Sequence, residues 1–382
     1  DNSHTHASDT QYFPLLNAIL QRDIAAVRAT ISTPASLFAR DQHGTGAVAL
    51  AAATGYLEAL RALITAHAPL NVRNTDGHSP LMLAVLAGHI NAAQMLIDAG
   101  VDLDLRDAQG NTALMLAIER GDLDCFRLLI AAKASVCVTN HDGLSPLMLA
   151  VCQGDAEMVT DLLALDATHL NLRDWNGHTA VALATIHDNA DLVQVLIDAK
   201  AACNIADNTG KTPLRLAIDR KCNAAAWVLM TATDTSGDTA ILTAARNGDL
   251  ALVRQLIAEG VWLNTENANQ ETPLMVAIEQ GHMGVAQALV DAGASIDVAK
   301  QATGATMLMT AASTGRTDIM QRLIAVKANV NATDKKQQSA LHYAAAQGHS
   351  DSAQVLLAAG ADVDAQGPDG RTALAAAASQ GH

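Results

Sequence analysis

Five methionines share one spacing: Met82, Met115, Met148, Met275 and Met309 each stand three residues after a Ser or Thr. Stacked into a ladder, their thioethers would form a soft site suited to copper(I). Two carboxylate pairs, Asp102 with Asp104 and Asp362 with Asp364, are each followed by a turn containing Asp and Gly, in the manner of a calcium loop. Neither copy places a bidentate Glu at the twelfth position, so these acids read as turn scaffolding. The five cysteines, Cys125, Cys137, Cys152, Cys203 and Cys222, show no zinc-pair spacing and are odd in number. They read as small core fillers. No phosphate-binding Gly loop and no His-Glu-x-x-His helix occurs. Ser236-Gly237, which faintly resembles a nucleophile context, lies in a turn. The reading is a protein with no catalytic residues, no metal site and no cofactor.

The elements that carry these residues repeat. Ser79-Pro80-Leu81 with Gly88 recurs as Thr112-Ala113-Leu114 with Gly121, and as Ser145-Pro146-Leu147 with Gly154. It returns at Thr272-Pro273-Leu274 with Gly281, Ser339-Ala340-Leu341 with Gly348, and Thr372-Ala373-Leu374 with Gly381. Weaker copies fill the gaps, with anchors at Phe13, Gly46, Thr179, Thr212, Thr239 and Thr306, for twelve copies in all. Asp/Asn-x-x-Gly turns precede the anchors, as in Asp107–Gly110 and Asp207–Gly210. Ser79, Ser145, Thr212 and Thr272 suit helix N-caps, and the prolines after them suit the first helical position. Gly88, Gly121 and Gly154 suit the left-handed end of a first helix, and Gly100 and Gly293 that of a second. A period of this size specifies a solenoid, whose layers share one continuous core and present an extended surface.

This frame resembles the ankyrin repeat over nearly the whole chain. The resemblance implies an all-α solenoid of helix-turn-helix units with β-turn tips, about twelve repeats long. It also accounts for the Met stripe, since the family pattern often has His in that slot, as His342 does here. His89, His282 and His349 likewise occupy a structural His position after the Gly that closes the first helix.

Net charge of -15 argues against a nucleic-acid or anionic-membrane partner, because both select a basic face. Turns every ~33 residues leave no apolar run long enough for a membrane span. The chain begins at Asp1 without Met. A cleaved secretory signal would leave such a start, as would trimming, so a periplasmic or secreted location is favoured slightly over a cytoplasmic one. Residues 1–11 form a polar lead-in carrying His4 and His6. Repeats 1 to 7 occupy 12–230, and repeats 8 to 12 occupy 231–382. Between Thr212 and Thr239 the period falls to 27, so the seventh repeat lacks its return segment and 231–236 could act as a hinge. The last repeat stops after one helix, which would leave apolar surface bare unless a cap or further chain covers it.

What remains is a binding surface. In the family pattern the turn tips and the ends of the first helices line a concave groove. The tips carry His78, His141, Trp175, His178 and Lys211; the helix ends carry Arg120, His187, Arg220, Arg246 and Glu279. Charges in these slots balance at five to five, so the acidic excess sits elsewhere, in return segments such as Asp98, Asp102, Asp104, Asp198 and Asp291. A mixed-sign groove suits a folded protein partner. Trp175 is the sharpest candidate contact, because an indole at a tip has little of its own repeat to pack on. Trp262, in a return loop, is a second candidate, and Trp227 reads as core. The expected function is a non-enzymatic scaffold, monomeric when free, that binds a folded protein through repeats near 140–250. It could act as an inhibitor, immunity-like protein or chaperone-like binder of an enzyme. The alternative is the targeting arm of a larger enzyme whose catalytic domain lies outside this chain.

Overall fold

A computed structural model describes residues 14–165, 167–234, 237–299 and 303–382. The lead-in at 1–11, with His4 and His6, and Thr235 and Ser236 of the expected hinge lie outside these residues. Among the described residues there are twenty-three α-helices and no named strand, as an all-α ankyrin solenoid of about twelve repeats requires.

The third repeat shows why the sequence folds this way. Ser79 sits in an extended conformation, and its Oγ accepts from the Met82 amide at 3.3 Å, satisfying a donor that the helix leaves orphaned. Pro80 starts the helix Pro80–Leu86, where its missing N–H is harmless. Gly88, at φ +73°, reverses the chain into the second helix, Ile90–Asp98. That helix buries Ala92, Ala93 and Leu96 and leaves its opposite face to water. Neither helix could cover its apolar face alone. Pro80–Leu86 therefore packs against Ala47–Ala53 before it and Ala113–Glu119 after it, and Ile90–Asp98 packs against its own counterparts.

The methionine stripe lies inside this core. Met82, Met115, Met148 and Met309 are buried. In three of these repeats the thioether also serves the cap, because Sδ accepts the anchor's own backbone N–H: Ser79 to Met82 at 3.4 Å, Ser145 to Met148 at 3.5 Å and Thr306 to Met309 at 3.4 Å. His342 performs the same task through Nδ1, 3.3 Å from the Ser339 nitrogen. Met thus stands in for His as acceptor in a capping box.

Two ladders of polar contacts stitch the layers. At the tips, Ala108 donates its N–H to the Asp76 carbonyl (2.9 Å), His141 to Gln109 (2.8 Å) and Asn208 to Asn176 (2.9 Å). In the return segments an Asn or Asp side chain accepts from the next repeat: Asn71 from Asp102 (3.0 Å), Asp104 from Ser135 (2.9 Å) and Asn171 from Ala202 (2.8 Å). Of the aspartates that resemble a calcium loop, Asp104 gives an oxygen to this stitching, whereas Asp102 and Asp362 accept from the N–H groups of Asp104 and Asp364 within their own turns, each at 3.0 Å.

The chain divides into two compact units, the first ending at Ala225 and the second starting at Ala226. The expectation that Trp227 is core fails. The residue is 61 % exposed, because Ala225, Ala226, Leu229 and Met230 already occupy the inward positions of the helix Asn223–Thr231. Its slot is the outermost of the second helix, held elsewhere by Gln94, Arg127, Thr160, Gln194 and Arg254. The cysteines also divide: Cys125 and Cys222 are buried fillers, whereas Cys152 and Cys203 are half-buried and Cys137 is exposed. Cys137 lies in a return segment, with Sγ 3.2 Å from the Thr168 hydroxyl.

Candidate protein-binding surface

Among the described residues, tips from Asp41 to Asp334 are built by one carboxylate or amide, as at Asn74, Asp107, Asn140 and Asp174, whereas the last described tip has Gly367 in that place. Asp174 accepts through Oδ1 from Asn176 N (2.9 Å) and His178 N (2.7 Å), folding the five residues into an Asx turn. Its other oxygen lies 3.2 Å from His178 Nδ1, while His178 Nε2 lies 3.7 Å from Asp207 on the following tip. The His178 ring is therefore mostly buried between two carboxylates. Burial pushes the Asp207 carboxyl up, but hydrogen bonds from Thr209 and Lys211 and the His178 charge outweigh it and hold the group below its ordinary value. His78 repeats the arrangement more loosely, with Nε2 3.8 Å from Asp107.

Trp175 occupies the tip between His141 and Asn208. Its indole Nε1 donates to the His141 carbonyl, and its backbone N–H points at Asp142 O from 3.5 Å. The Asn208 amide donates to the Trp175 carbonyl at 2.7 Å. The residue is held on both sides, yet 71 % of it is exposed. His141 is exposed on the tip before it. Trp262, 69 % exposed, lies in a return loop of the second unit.

The helix ends divide by charge pairing. Lys211 Nζ lies 2.8 Å from Asp219, whose second oxygen is 3.3 Å from Arg215. The Lys211 hydrogen bond holds the Asp219 carboxyl below its ordinary value. Arg120, the C-cap of the helix Ala113–Glu119, and Arg220, the last residue of Pro213–Arg220, are exposed and form no ion pair among the described residues. His187 caps the helix Ala180–Ile186 and is also exposed. In the second unit, Arg246 donates twice to Asp238 (3.0 and 2.9 Å) and lies 3.5 Å from Glu271. Glu279 is exposed and within electrostatic reach of Arg316. The even tally of charges is thus uneven in availability, since Lys211 and Arg246 are already neutralised.

Two features had no clear sequence signal. Arg73 donates to the Arg106 carbonyl at 2.8 Å, Arg106 to the Thr139 carbonyl, and Arg173 to Ala206 O at 2.9 Å, so guanidinium groups brace successive tips of the first unit. Glu119 lies close enough to Asp107 and to Asp142 to feel the charge of each. Burial, then Asp107, then Asp142, push the Glu119 carboxyl above its ordinary value. Among the described residues no three His, Cys, Asp or Glu side chains converge as a metal site. No described helix is long and apolar enough to cross a membrane.

Comparison with known proteins agrees with this construction. The family described as ankyrin repeats (three copies) matches residues 15–107, 48–142, 97–174, 147–235, 227–300 and 296–367. The chain is 27 % identical over 180 residues to a transient receptor potential cation channel subfamily A member 1 homolog from Caenorhabditis elegans, which covers 45 % of this chain and 15 % of that protein. It is 28 % identical over 184 residues to neurogenic locus notch homolog protein 1 from Xenopus tropicalis, 48 % of this chain and 6 % of the relative. The mouse notch homolog is 29 % identical over 148 residues, 37 % of this chain and 6 % of the relative. The chain therefore spans only a small part of the relatives it matches. Ankyrin repeats are protein–protein interaction modules and typically non-catalytic. With capped helix pairs, Asx-turn tips and family matches along nearly its whole length, this chain belongs to the ankyrin-repeat family.

Proposed function

We propose that this chain is a non-enzymatic scaffold that binds a folded protein through the turn tips and first-helix ends of its first unit. The observation that carries this is Trp175, a large aromatic side chain fixed by its neighbours and left bare. Such a residue loses little freedom on binding and offers much apolar area, the properties of an interface hot spot. Arg120 and Arg220, both exposed and unpaired among the described residues, supply specificity at the rim. His141 and His187 flank them, whereas His78, His178 and Lys211 support the surface from behind through their carboxylate partners. Arg246 and Glu279 offer polar contacts on the second unit. The specific form of the reading is a binder that masks or stabilises an enzyme, as an inhibitor, immunity-like or chaperone-like protein does.

Affinity purification with mass spectrometry identifies the partner. Trp175→Ala combined with Arg220→Ala then lowers its affinity at least tenfold. Unchanged affinity removes this placement of the surface. A second reading, the targeting arm of a larger catalytic chain, is favoured by one observation: the relatives are many times longer than the matched segment. The sequence of the full-length gene product distinguishes the two.

A further inference from the structure

Four arginines of the first unit share one slot of the repeat. Arg40, Arg73, Arg106 and Arg173 each stand six residues before an anchor, next to the residue that builds a tip. All four are exposed, and none forms an ion pair among the described residues. Thr139 holds the slot in the fifth repeat, and beyond Arg173 it passes to Ala206 in the seventh and Glu266 in the ninth. On a chain of net charge -15, this is a row of cations in an acidic body.

The side chains reach along the stack. Arg73 donates from Nη1 to the Arg106 carbonyl (2.8 Å), Arg106 from Nη2 to the Thr139 carbonyl, and Arg173 from Nη2 to the Ala206 carbonyl (2.9 Å). Each acceptor is the same slot one repeat on. The guanidinium groups therefore fall in line, one to a layer, at the helix-packing interval of about 8–10 Å. Arg73 and Arg106 each commit one N–H to this bond and keep the rest of the fork. A guanidinium already fixed loses little freedom on meeting a carboxylate, which it can grip with two parallel bonds. An open cleft lies beside Arg73, lined by Asn74, Thr75, Gly77, Asp107 and Ala108. Its one carboxylate is engaged: Asp107 Oδ1 accepts from Gln109 N (2.9 Å) and Asn111 N (2.8 Å), and Oδ2 lies 3.8 Å from His78.

We infer that this ridge binds an extended acidic peptide segment with a carboxylate at every third residue. A chain in the polyproline II conformation has three residues per turn and rises about 3.1 Å per residue. Every third side chain then faces the same way about 9 Å further on, which is one layer of the stack. Carboxylates meet Arg40, Arg73 and Arg106 in succession; Thr139 leaves one step empty, and the next acid meets Arg173. A nucleic-acid strand fits worse, because it brings a charge with every nucleotide and lays phosphates over the exposed Asp76 and Asp142 of these tips. A peptide places its charges only where the arginines stand. The ridge adds a second site to the proposed contact face and needs neither Trp175 nor Arg220.

The test uses the full chain and a capped, dye-labelled thirteen-residue peptide with Glu at its first, fourth, seventh and last positions and Pro or Ser between, read by fluorescence anisotropy. One control peptide carries Gln for Glu, and another gathers the four Glu at one end. Saturable binding is expected, at least tenfold weaker for the Gln peptide and at least threefold weaker for the gathered one. Arg73→Gln with Arg106→Gln weakens the spaced peptide at least fivefold. Arg40 has no side-chain hydrogen bond among the described residues, so Arg40→Gln leaves the braces intact and still weakens the peptide at least twofold. Arg61→Gln removes the same charge from the exposed face of the helix Leu57–Thr65 and weakens it less than that. Equal affinity for the gathered peptide, or equal losses with Arg40→Gln and Arg61→Gln, means a general attraction between charges and overturns the ridge. Tighter binding of a single-stranded oligonucleotide of equal charge overturns the choice of a peptide.

Discussion

A β-carbon added to Gly143 would stand 2.7 Å from the backbone nitrogen of Trp175. The tip that carries the exposed indole approaches the preceding tip this closely only because position 143 has no side chain. Gly143 is also at φ +79°, a conformation in which other residues are strained. Gly143→Ala is expected to destabilise the protein by about 1–3 kcal/mol. Gly154→Ala is the control, since Gly154 has φ +72° but no neighbour within 4 Å and incurs the backbone strain alone. Urea unfolding of the two variants separates strain from collision. Equal losses would mean that the tips separate without cost.

The opposite substitution should stabilise. Lys133, Lys200 and Lys327 adopt φ of 66°, 69° and 66° in the slot after the second helix that Gly100, Gly260, Gly293 and Gly360 hold in other repeats. Each Lys bears the left-handed strain of a residue with a β-carbon, while Gly bears none. Glycine's greater freedom in the unfolded chain takes part of the gain back. Each Lys→Gly change is expected to raise stability by about 0.5 kcal/mol. The three changes lie in separate repeats, so their shifts in urea midpoint should add.

Met148 joins core and cap. Its side chain is buried and its sulfur receives the Ser145 N–H at 3.5 Å. Met148→Ala removes buried volume and the acceptor together, and a loss of about 2–4 kcal/mol is expected. Met148→His retains an acceptor in the geometry that His342 uses, where Nδ1 meets Ser339 N at 3.3 Å and Nε2 lies 3.1 Å from Arg371 O. That variant should lose less than the alanine variant in thermal unfolding at neutral pH. A larger loss would assign the slot to packing alone.

The scaffold was legible because its determinants are local and repeated. Ser79 before Pro80, Gly88 after the helix and Asp107 three residues ahead of Gly110 each act on groups a few positions away. The pattern even survives where its usual residue is missing: Gln270 and Gln337 take φ +62° in the turn slot that glycine usually fills. The site was less legible, because its geometry depends on pairs from different repeats. Arg106 bonds to a backbone carbonyl of the next repeat, and a carbonyl has no residue type to betray it. Charge counting treated Arg246 and Arg220 alike, although only Arg246 has Asp238 within 2.9 Å. Trp227 was misread because hydrophobicity suggests burial, while the register of its helix turns that position to solvent.

Glu119 gives a prediction whose sign is set by its neighbours. Burial and the charges of Asp107 and Asp142 raise its carboxyl above the ordinary value of 4.5. The folded protein then binds that proton more tightly than the unfolded chain, so the group's favourable contribution is complete below its unfolded pKa. It is lost as pH rises through the raised folded value, and at neutral pH the ionised carboxylate opposes folding. Glu119→Gln should therefore be more stable than the parent at pH 7, by less than about 1 kcal/mol because water screens an exposed side chain. The advantage should vanish once the pH falls below the ordinary carboxylate range, where the parent is protonated too. Unfolding midpoints at pH 7 and pH 3.5 measure both halves. A glutamine variant less stable than the parent at pH 7 would show that Glu119 is held by favourable contacts stronger than the repulsion from Asp107 and Asp142.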